Sequence, residues 1–318
     1  MLFYVLKRII YICCILVVMS MLVFAITQIL PGNVARMILG QFATEESIRA
    51  IEEKLRLNDP LVVQYWRWAS SLLSGDLGES LIMEHPIAPL LSTALKRSAI
   101  LAFMSFFFVT VVGIGLGVVA ALKQNRPTDH AVSIFTYLGI SVPEFFWGIV
   151  VIIFLARYID WLPSSGYEPL SAGFWNWLSH LILPVATLTF ALIAHVSRLT
   201  RSCMLETLRS PYVTAARAKG LPERVVLVRH ALRNALLPTI TILAVDLGWL
   251  FGGVVVVETV FAFPGLGRLL MFSIERHDLP LMQVSLLLIT AVYSLSNLVA
   301  DLLYTYFNPK IRYERSAD

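Results

Sequence analysis

Six long apolar segments alternate with polar stretches along the chain, and each is long enough to form a transmembrane helix. A helix needs about 20 apolar residues to cross a hydrocarbon core about 30 Å thick. The first two segments carry no charged residue. The pattern therefore predicts six membrane-spanning helices. Their approximate bounds are Ile9–Leu30, Ala99–Leu122, Ala131–Ala156, Leu178–Ser197, Ala235–Phe263 and Leu279–Phe307.

The first apolar segment follows Lys7 and Arg8, as the core of a secretory signal would. However, it is long, no small-x-small cleavage site follows it, and five further apolar segments come after it. Signal peptides have shorter apolar cores and end at such cleavage sites. We therefore interpret this segment as a retained transmembrane helix.

The long polar segment between the first two spans, residues 31–97, has helical patterning. Thr44 is a candidate N-cap for one helix. Asp59 as an N-cap, with Pro60 at the first helical position, predicts a second helix that continues over Leu61–Leu73. The segment is expected either to cover the outer ends of the spans or to be a docking surface for a soluble partner.

Two pairs of glycines lie four residues apart inside predicted spans, Gly113 with Gly117 and Gly248 with Gly252. This spacing favours close approach of a second helix. A nucleotide site at the first pair is excluded because that span is uncharged and lies in lipid. The phosphate-binding pattern G-x-x-x-x-G-K-[ST] does not occur in the sequence. If ATP drives this protein, the ATPase is therefore expected to be another polypeptide.

The composition agrees with a membrane protein. Of the 318 residues, 58% are hydrophobic and 14% charged, and the mean hydropathy is +0.75. Soluble domains carry about 25% charged residues. The three cysteines, Cys13, Cys14 and Cys203, form no metal-binding pattern. We expect no metal and no cofactor.

Basic residues lie mainly on one face of the predicted bundle. The N-terminus, the second and fourth loops and the C-terminus carry 15 of the 25 Lys and Arg residues. The two short loops on the other face carry only Arg157, Arg268 and Arg276. Because positive loops stay in the cytoplasm, both termini are predicted to be cytoplasmic. Basic residues clustered around membrane segments do not indicate nucleic-acid binding.

The fourth loop contains a short, well-delimited helix. Ser210 is a suitable N-cap and Pro211 fits the first helical position. No helix breaker occurs from Tyr212 to Lys219, and Gly220 can adopt the left-handed conformation that ends a helix. So short a helix is marginal alone in water. It must therefore be held by the membrane domain or by a partner.

This loop carries a family resemblance. Thr214-Ala-Ala-Arg-Ala-Lys-Gly220, followed by Arg229-His-Ala-Leu-Arg-Asn-Ala-Leu-Leu-Pro238, resembles the EAA loop of permeases in bacterial ABC transporters. The match is closest to the dipeptide/oligopeptide/nickel importer family. Further matching segments cover nearly the whole chain. They include Asn58-Asp-Pro-Leu-Val-Val-Gln-Tyr65, Glu258-Thr-Val-Phe-Ala-Phe-Pro-Gly-Leu-Gly-Arg268 and Asn308-Pro-Lys-Ile-Arg312.

The resemblance implies a transmembrane permease subunit of an ATP-driven, binding-protein-dependent importer in a bacterial cytoplasmic (inner) membrane. The implied partners are a second homologous permease in a heterodimer, two ATPase subunits, an extracytoplasmic substrate-binding protein and the lipid bilayer. The long outer segment resembles that of the first, B-type permease of the pair. Di- and oligopeptides are the expected substrates, with nickel chelates or glutathione as the alternative.

In this family the short helix is a coupling helix that sits in a cleft of the ATPase. Its motif begins with Glu, whereas this chain has Thr214, so a glutamate contact with the ATPase is not carried over. The residues expected to contact the ATPase are Tyr212, Thr214, Ala215, Ala216, Arg217, Lys219 and Gly220.

Several ionisable residues lie within the predicted spans. Such groups are costly in lipid and usually face a bundle interior or a wet cavity. Asp246 and Glu144 are expected near the midplane and Glu258 near the outer boundary, as candidates for the translocation path. The alternative is that they form buried pairs between helices. His195 and Asp301 lie closer to the cytoplasmic side.

Two other classes of function fit the sequence less well than an importer does. An ion-coupled secondary transporter would use Asp246 and Glu144 as ion sites, but it would not need the capped basic helix, and no inverted repeat is evident. An intramembrane enzyme would need a motif such as H-E-x-x-H or G-x-S-x-G, and neither occurs.

The predicted fold class is an all-α membrane protein with about six transmembrane helices, like the permease of a type I ABC importer. The predicted divisions follow the spans. They are 1–30 for the N-terminal tail and first span, 31–97 for the extracytoplasmic helical segment, 98–307 for a five-helix core with its coupling loop at 198–234, and 308–318 for a cytoplasmic tail.

Overall fold

A computed structural model describes residues 2–29, 44–46, 49, 53 and 59–307. Within these ranges the protein is helical apart from loops and one two-stranded hairpin. The elements are α1 Leu2–Ile29, α2 Leu61–Leu73, β1 Glu79–Ser80, β2 His85–Pro86, α3 Ile87–Leu122, α4 Pro127–Ser141, α5 Glu144–Tyr158, α6 Phe174–Leu208, α7 Pro211–Ala218, α8 Glu223–Val260, α9 Leu266–Glu275 and α10 Leu279–Phe307.

Five described helices are long and apolar enough to cross a membrane, and α4 with α5 makes six if that bent pair is one span. The predicted number of spans is therefore confirmed. Helices α6 and α8 extend well beyond their predicted apolar bounds, to Leu208 and back to Glu223. The extensions contain polar residues that favour helix, which a search for apolar segments does not count.

The third predicted span is not one straight helix. Helices α4 and α5 meet at an angle of 108°. Val142 between them is extended, with φ −118° and ψ 132°. Proline at 143 has no amide hydrogen and disfavours helical geometry at the residue before it. The prediction of one continuous helix over Ala131–Ala156 was therefore wrong. Pro143 was the residue in the sequence that indicated the break.

The described chain divides into two compact units. The first unit comprises Met1–Ser98 and Pro264–Leu295. In it, Phe24 of α1 packs on two aromatic rings of α2, Tyr65 at 5.5 Å and Trp68 at 5.8 Å between ring centroids. The carboxylate of Asp278 accepts hydrogen bonds from the Ser80 hydroxyl and the Leu81 amide, which fixes the hairpin to the start of α10.

The second predicted helix of the outer segment is confirmed at Leu61–Leu73. Its start differs in detail, because Pro60 rather than Asp59 occupies the N-cap position. The Asp59 carboxylate instead pairs with Arg67 at 2.5 Å. The helix predicted from Thr44 and the tail 308–318 lie largely outside the described residues.

The second unit comprises Ala99–Phe263 and Ser296–Asp318, and α6 is its central helix, packed on α3, α4, α5 and α8. Close packing of α6 on α3 depends on two glycines. A Cβ on Gly117 would lie 2.6 Å from the Ser197 carbonyl oxygen, and one on Gly113 would lie 2.9 Å from Val196 Cγ1. The close approach predicted at this pair is confirmed.

The prediction of close approach at the second glycine pair is confirmed for one glycine and wrong for the other. Gly248 lies directly against the side chain of Asn297, whereas the space at Gly252 is open. The second close approach occurs one residue later, at Gly253, which faces Leu188 and Glu144. The two contacts therefore lie on different faces of α8. Glycines four residues apart would lie on the same face, so the predicted spacing does not describe this arrangement.

Candidate coupling helix and membrane-embedded acids

Helix α7 begins and ends where the sequence predicts. Ser210 is extended at the N-cap position, with φ −69° and ψ 148°, and Pro211 is the first helical residue. Gly220 closes the turn after the helix at φ +75°, in the left-handed region. The Ser210 hydroxyl does not cap the helix; it donates to the Thr207 carbonyl at 2.6 Å. Backbone geometry and Pro211 therefore define the start.

Two side chains of α7 point inward. Val213 is fully buried and Ala216 is 6% exposed. Positions three apart lie on one face of a helix, so the two form a short apolar stripe. This stripe packs into a cluster from three long helices. The other buried members are Ala121 of α3, Met204 of α6, and Val226, Ala231 and Ala235 of α8. The membrane domain itself therefore holds a helix that is too short to be stable alone.

Polar contacts tie α7 to α8 on both sides of this stripe. The Arg217 guanidinium donates to the Glu223 carboxylate, at 2.7 Å from Nη2, across the turn at Gly220. This hydrogen bond raises the pKa of Arg217 above its ordinary value, so the guanidinium stays charged. At the other end, Asn234 Nδ2 donates to the Tyr212 hydroxyl at 3.0 Å. Helices α7 and α8 are thus in polar contact at two points.

The predicted contact residues separate into two groups. Ala216 lies in the buried stripe and helps to anchor the helix. The other six are exposed, and they surround the stripe on the remaining faces of α7 and its terminal turn. They are Tyr212, Thr214, Ala215, Arg217, Lys219 and Gly220.

Sequence analysis missed an ion pair between α6 and α4 in which the carboxylate is buried and the guanidinium is partly exposed. Arg201 of α6 binds Asp129 of α4 through two hydrogen bonds, 2.6 Å from Nε and 2.7 Å from Nη2. The amide of Asn125 also donates to this carboxylate at 2.9 Å. The Asp129 side chain is 3% exposed. The sequence did show an acidic residue, Asp129, in the first turn of the helix that begins at Pro127. Arg201, its partner, was counted only as one of the basic residues of the fourth loop.

Asp246 lies near the middle of α8 and is 6% exposed. One carboxylate oxygen is 3.5 Å from Nδ1 of His195 on α6, whose side chain is 41% exposed. No described residue hydrogen-bonds the second oxygen, which is fully buried. The structure thus joins two of the ionisable residues identified in the spans.

Glu144 is the first residue of α5, directly after the break at Pro143. Its carboxylate fills a notch at Gly253, where a Cβ would lie 3.1 Å from Oε1. The buried Oε2 also has no hydrogen-bond partner among the described residues. Because Asp246 and Gly253 are seven residues apart on α8, about 10 Å of helix separates the two acidic positions on one face.

Glu258 is fully buried near the end of α8. Its backbone carbonyl accepts the Phe263 amide at 2.8 Å, which closes the turn after the helix. Glu258 lies twelve residues beyond Asp246 on α8, so the two residues are on different faces of the helix. Glu258 is also more than one helical turn beyond Gly253. The structure therefore does not gather the three candidate path residues into one cluster.

Solved structures share this fold. The MetNI methionine ABC transporter in an inward-facing conformation aligns with a TM-score of 0.55 and 20% identity, over 69% of this chain and 96% of that one. An amino acid ABC transporter aligns with a TM-score of 0.50 and 16% identity, over 70% and 94%. The expected fold class, an all-α permease like those of ABC importers, is confirmed.

Curated relatives match over almost the full length. The "Probable peptide ABC transporter permease protein y4tP" of Sinorhizobium fredii is 39% identical over 98% of this chain and 99% of its own. The glutathione transport system permease protein GsiC of Escherichia coli K12 is 37% identical over 99% and 100%. The dipeptide transport system permease protein DppB of Alkalihalophilus pseudofirmus is 34% identical over 98% and 100%.

Two family models cover most of the sequence. Residues 1–99 match the N-terminal model of binding-protein-dependent transport system membrane components. Residues 113–313 match the model of binding-protein-dependent transport system inner membrane components. The chain belongs to this family of inner membrane components and is the transmembrane permease subunit of an ATP-driven, binding-protein-dependent importer.

Proposed function

We propose that this permease forms one half of a channel for short peptides, including glutathione as a tripeptide, and that α7 couples it to an ATPase. The names of the full-length relatives support the substrate class, because they specify peptide, dipeptide and glutathione transport. Nickel chelates are the remaining alternative for the same architecture.

The observation that carries the coupling role is the division of α7 into a buried stripe and an exposed remainder. Val213 and Ala216 pack against α3, α6 and α8, so a displacement of α7 acts on three spans. The exposed residues around the stripe are free of the core and suit a partner cleft. ATP hydrolysis takes place in that partner, since the sequence carries no phosphate-binding loop of its own.

The assembly follows from this role. A second homologous permease completes the channel, two ATPases bind the coupling helices, and a substrate-binding protein delivers the peptide on the opposite side. The termini and the loop 198–234 face the cytoplasm, in keeping with the excess of basic residues there. The segment 31–97 faces outward.

Asp246 and Glu144 are proposed to act along the translocation path, with Glu258 at its outer end. The support is that Asp246 and Glu144 each keep one buried carboxylate oxygen without a described partner. An intramembrane acid in such a position usually marks a substrate or ion pathway. Asp246→Asn should lower peptide uptake while the complex still assembles; loss of assembly would instead assign the residue a structural role.

The coupling role is tested by adding bulk to the exposed part of α7. Ala215→Trp should reduce the amount of ATPase co-purified with the permease by about tenfold, equivalent to about 1.4 kcal/mol of binding. ATP-driven uptake should fall with it. Ala172→Trp, at an exposed alanine in the short turn before α6, is the matched control. Equal ATPase recovery from both variants would contradict the proposal.

A further inference from the structure

Helix α2 has two apolar faces, although a helix at a protein surface usually has one. The first face packs inside the first unit, where Trp68 contacts Phe24 of α1. The second face is exposed to the surroundings of the chain. Its members are Val62, Trp66 and Leu73, which are 78%, 74% and 91% exposed. These three residues form what we call the outer stripe of α2.

The spacing of the outer stripe makes it one continuous surface. Each residue of an α-helix is rotated by about 100° from the one before it. Trp66 and Leu73 follow Val62 by four and eleven residues, so both lie within about 40° of it around the helix. Trp68, on the packed face, lies about 120° away from Val62. The stripe is about 17 Å long, which is nearly the whole length of α2.

The outer stripe is also free of charge. Arg67 is the only charged residue of α2, and its guanidinium pairs with the Asp59 carboxylate. Arg67 lies about 140° from Val62 around the helix, so its charge is directed away from the stripe. A contiguous exposed apolar surface marks a contact with another protein or with a membrane.

Contacts with α1 show the depth at which α2 lies. The membrane-spanning part of α1 is Val5–Thr27. The hydroxyl oxygen of Tyr65 on α2 is 2.9 Å from that of Ser20, which is about 10 Å along the helix from Thr27. Phe24, which packs on Trp68, is about 5 Å from the same end. Amphipathic helices at a membrane surface bury their apolar face to a similar depth, about 5–10 Å.

The surface of α1 at this depth is itself apolar and exposed. Its residues here are Val17, Val18, Met21 and Leu22, each about half exposed. Because α1 spans the membrane, lipid covers these side chains. The outer stripe continues this surface on the helix that packs beside α1. Tryptophan, as at position 66, is enriched where membrane and water meet. Lipid is therefore the occupant that suits both helices.

We propose that the outer stripe of α2 is a lipid-binding surface and that α2 lies in the membrane interface beside α1. The extracytoplasmic segment is then anchored to the bilayer through α2. This face of α2 is not a docking surface for a soluble partner. The inference concerns α2 alone and does not depend on which substrate the importer carries.

Spin labelling of the complete importer, reconstituted in vesicles of phosphatidylethanolamine and phosphatidylglycerol, tests this surface. Val62→Cys and Leu73→Cys carry a nitroxide at the two ends of the stripe, with the three native cysteines changed to serine. Oxygen concentrates in lipid, whereas a nickel chelate stays in water. At both positions, oxygen should collide with the label several-fold more often than the nickel chelate does. Glu79→Cys, at an exposed acid on β1, is the control and should show the reverse preference.

Each contrary result names a different occupant. A label at either end of the stripe that meets the nickel chelate more often than oxygen would overturn the inference in favour of water. A label shielded from both reagents would overturn it in favour of a protein contact. Shielding only after the substrate-binding protein is added would identify that protein as the occupant, whereas shielding without it would assign the contact to the permease complex.

Discussion

Two arginine–carboxylate pairs in the second unit use the same chemistry in opposite surroundings. Arg201 and Asp129 join α6 to α4, and their side chains are 27% and 3% exposed. Arg217 and Glu223 join α7 to α8, and theirs are 41% and 56% exposed. The shortest nitrogen–oxygen distances are nearly equal, 2.6 and 2.7 Å. Geometry alone therefore does not distinguish them.

Burial gives the two pairs different energetic roles. When one partner of a buried pair is removed, the other charge remains in a medium that solvates it poorly. When one partner of an exposed pair is removed, water replaces it at little cost. The Arg201 pair is thus a fixed structural connection. The Arg217 pair is accessible to water and can separate at little energetic cost.

The largest effect is expected from Arg201→Ala. It leaves the Asp129 carboxylate buried with only the Asn125 amide as a described partner, and this should destabilise the fold by about 3 kcal/mol. Thermal unfolding of the purified permease complex in detergent measures the change as a lower midpoint.

The double variant Asp129→Ala with Arg201→Ala is the control for that effect. It removes the buried charge together with its partner and should be less destabilised than the single variant. If the double variant were the less stable of the two, burial of an unpaired charge would not be the cause.

An intermediate effect is expected from Gly220→Ala, in the turn that the exposed pair spans. A residue with a Cβ in the left-handed region is less stable by about 1 kcal/mol, and Gly220 has φ +75°. The matched control is Gly115→Ala, a helical glycine of α3 with open space around it. The midpoint of thermal unfolding should fall for the first variant and stay level or rise for the second.

The smallest effect on stability is expected from Arg217→Ala, because the Glu223 carboxylate becomes solvated by water. The midpoint of thermal unfolding should not shift measurably, and raising the salt concentration should change it no more than in the unmodified protein. A shift as large as that of Arg201→Ala would show that the two pairs are equivalent, and the contrast drawn from burial would fail.

The parts of this fold that the sequence predicts well are those with local causes. Long apolar runs predict the spans, and the Ser-Pro start with the glycine stop predicts α7 to within one residue of Pro211–Ala218. The break between α4 and α5 also has a local cause, Pro143, but an apolar run on both sides of it concealed the bend. A proline inside a span does not by itself decide the matter, because Pro184 and Pro238 lie inside continuous helices.

The features that sequence analysis missed depend on contacts between distant residues. Asp129 and Arg201 are separated by two spans and an outer loop, so nothing in the sequence assigns them to each other. Ala216 points inward because of the face that α7 turns toward α6 and α8. Until that face is known, the buried residues of so short a helix cannot be distinguished from the exposed ones. The roles of Glu144, Asp246 and Glu258 stay predictions.

The glycine contacts between α3 and α6 have a consequence for how motion spreads through the membrane. At Gly117 the two backbones are so close that a single added methyl group would overlap the Ser197 carbonyl. Helices interlocked at that distance cannot slide along each other without separating first. The cluster under α7 includes Ala121 near the end of α3 and Met204 near the end of α6. If α7 is displaced, α3 and α6 are therefore expected to move together rather than to slide past each other.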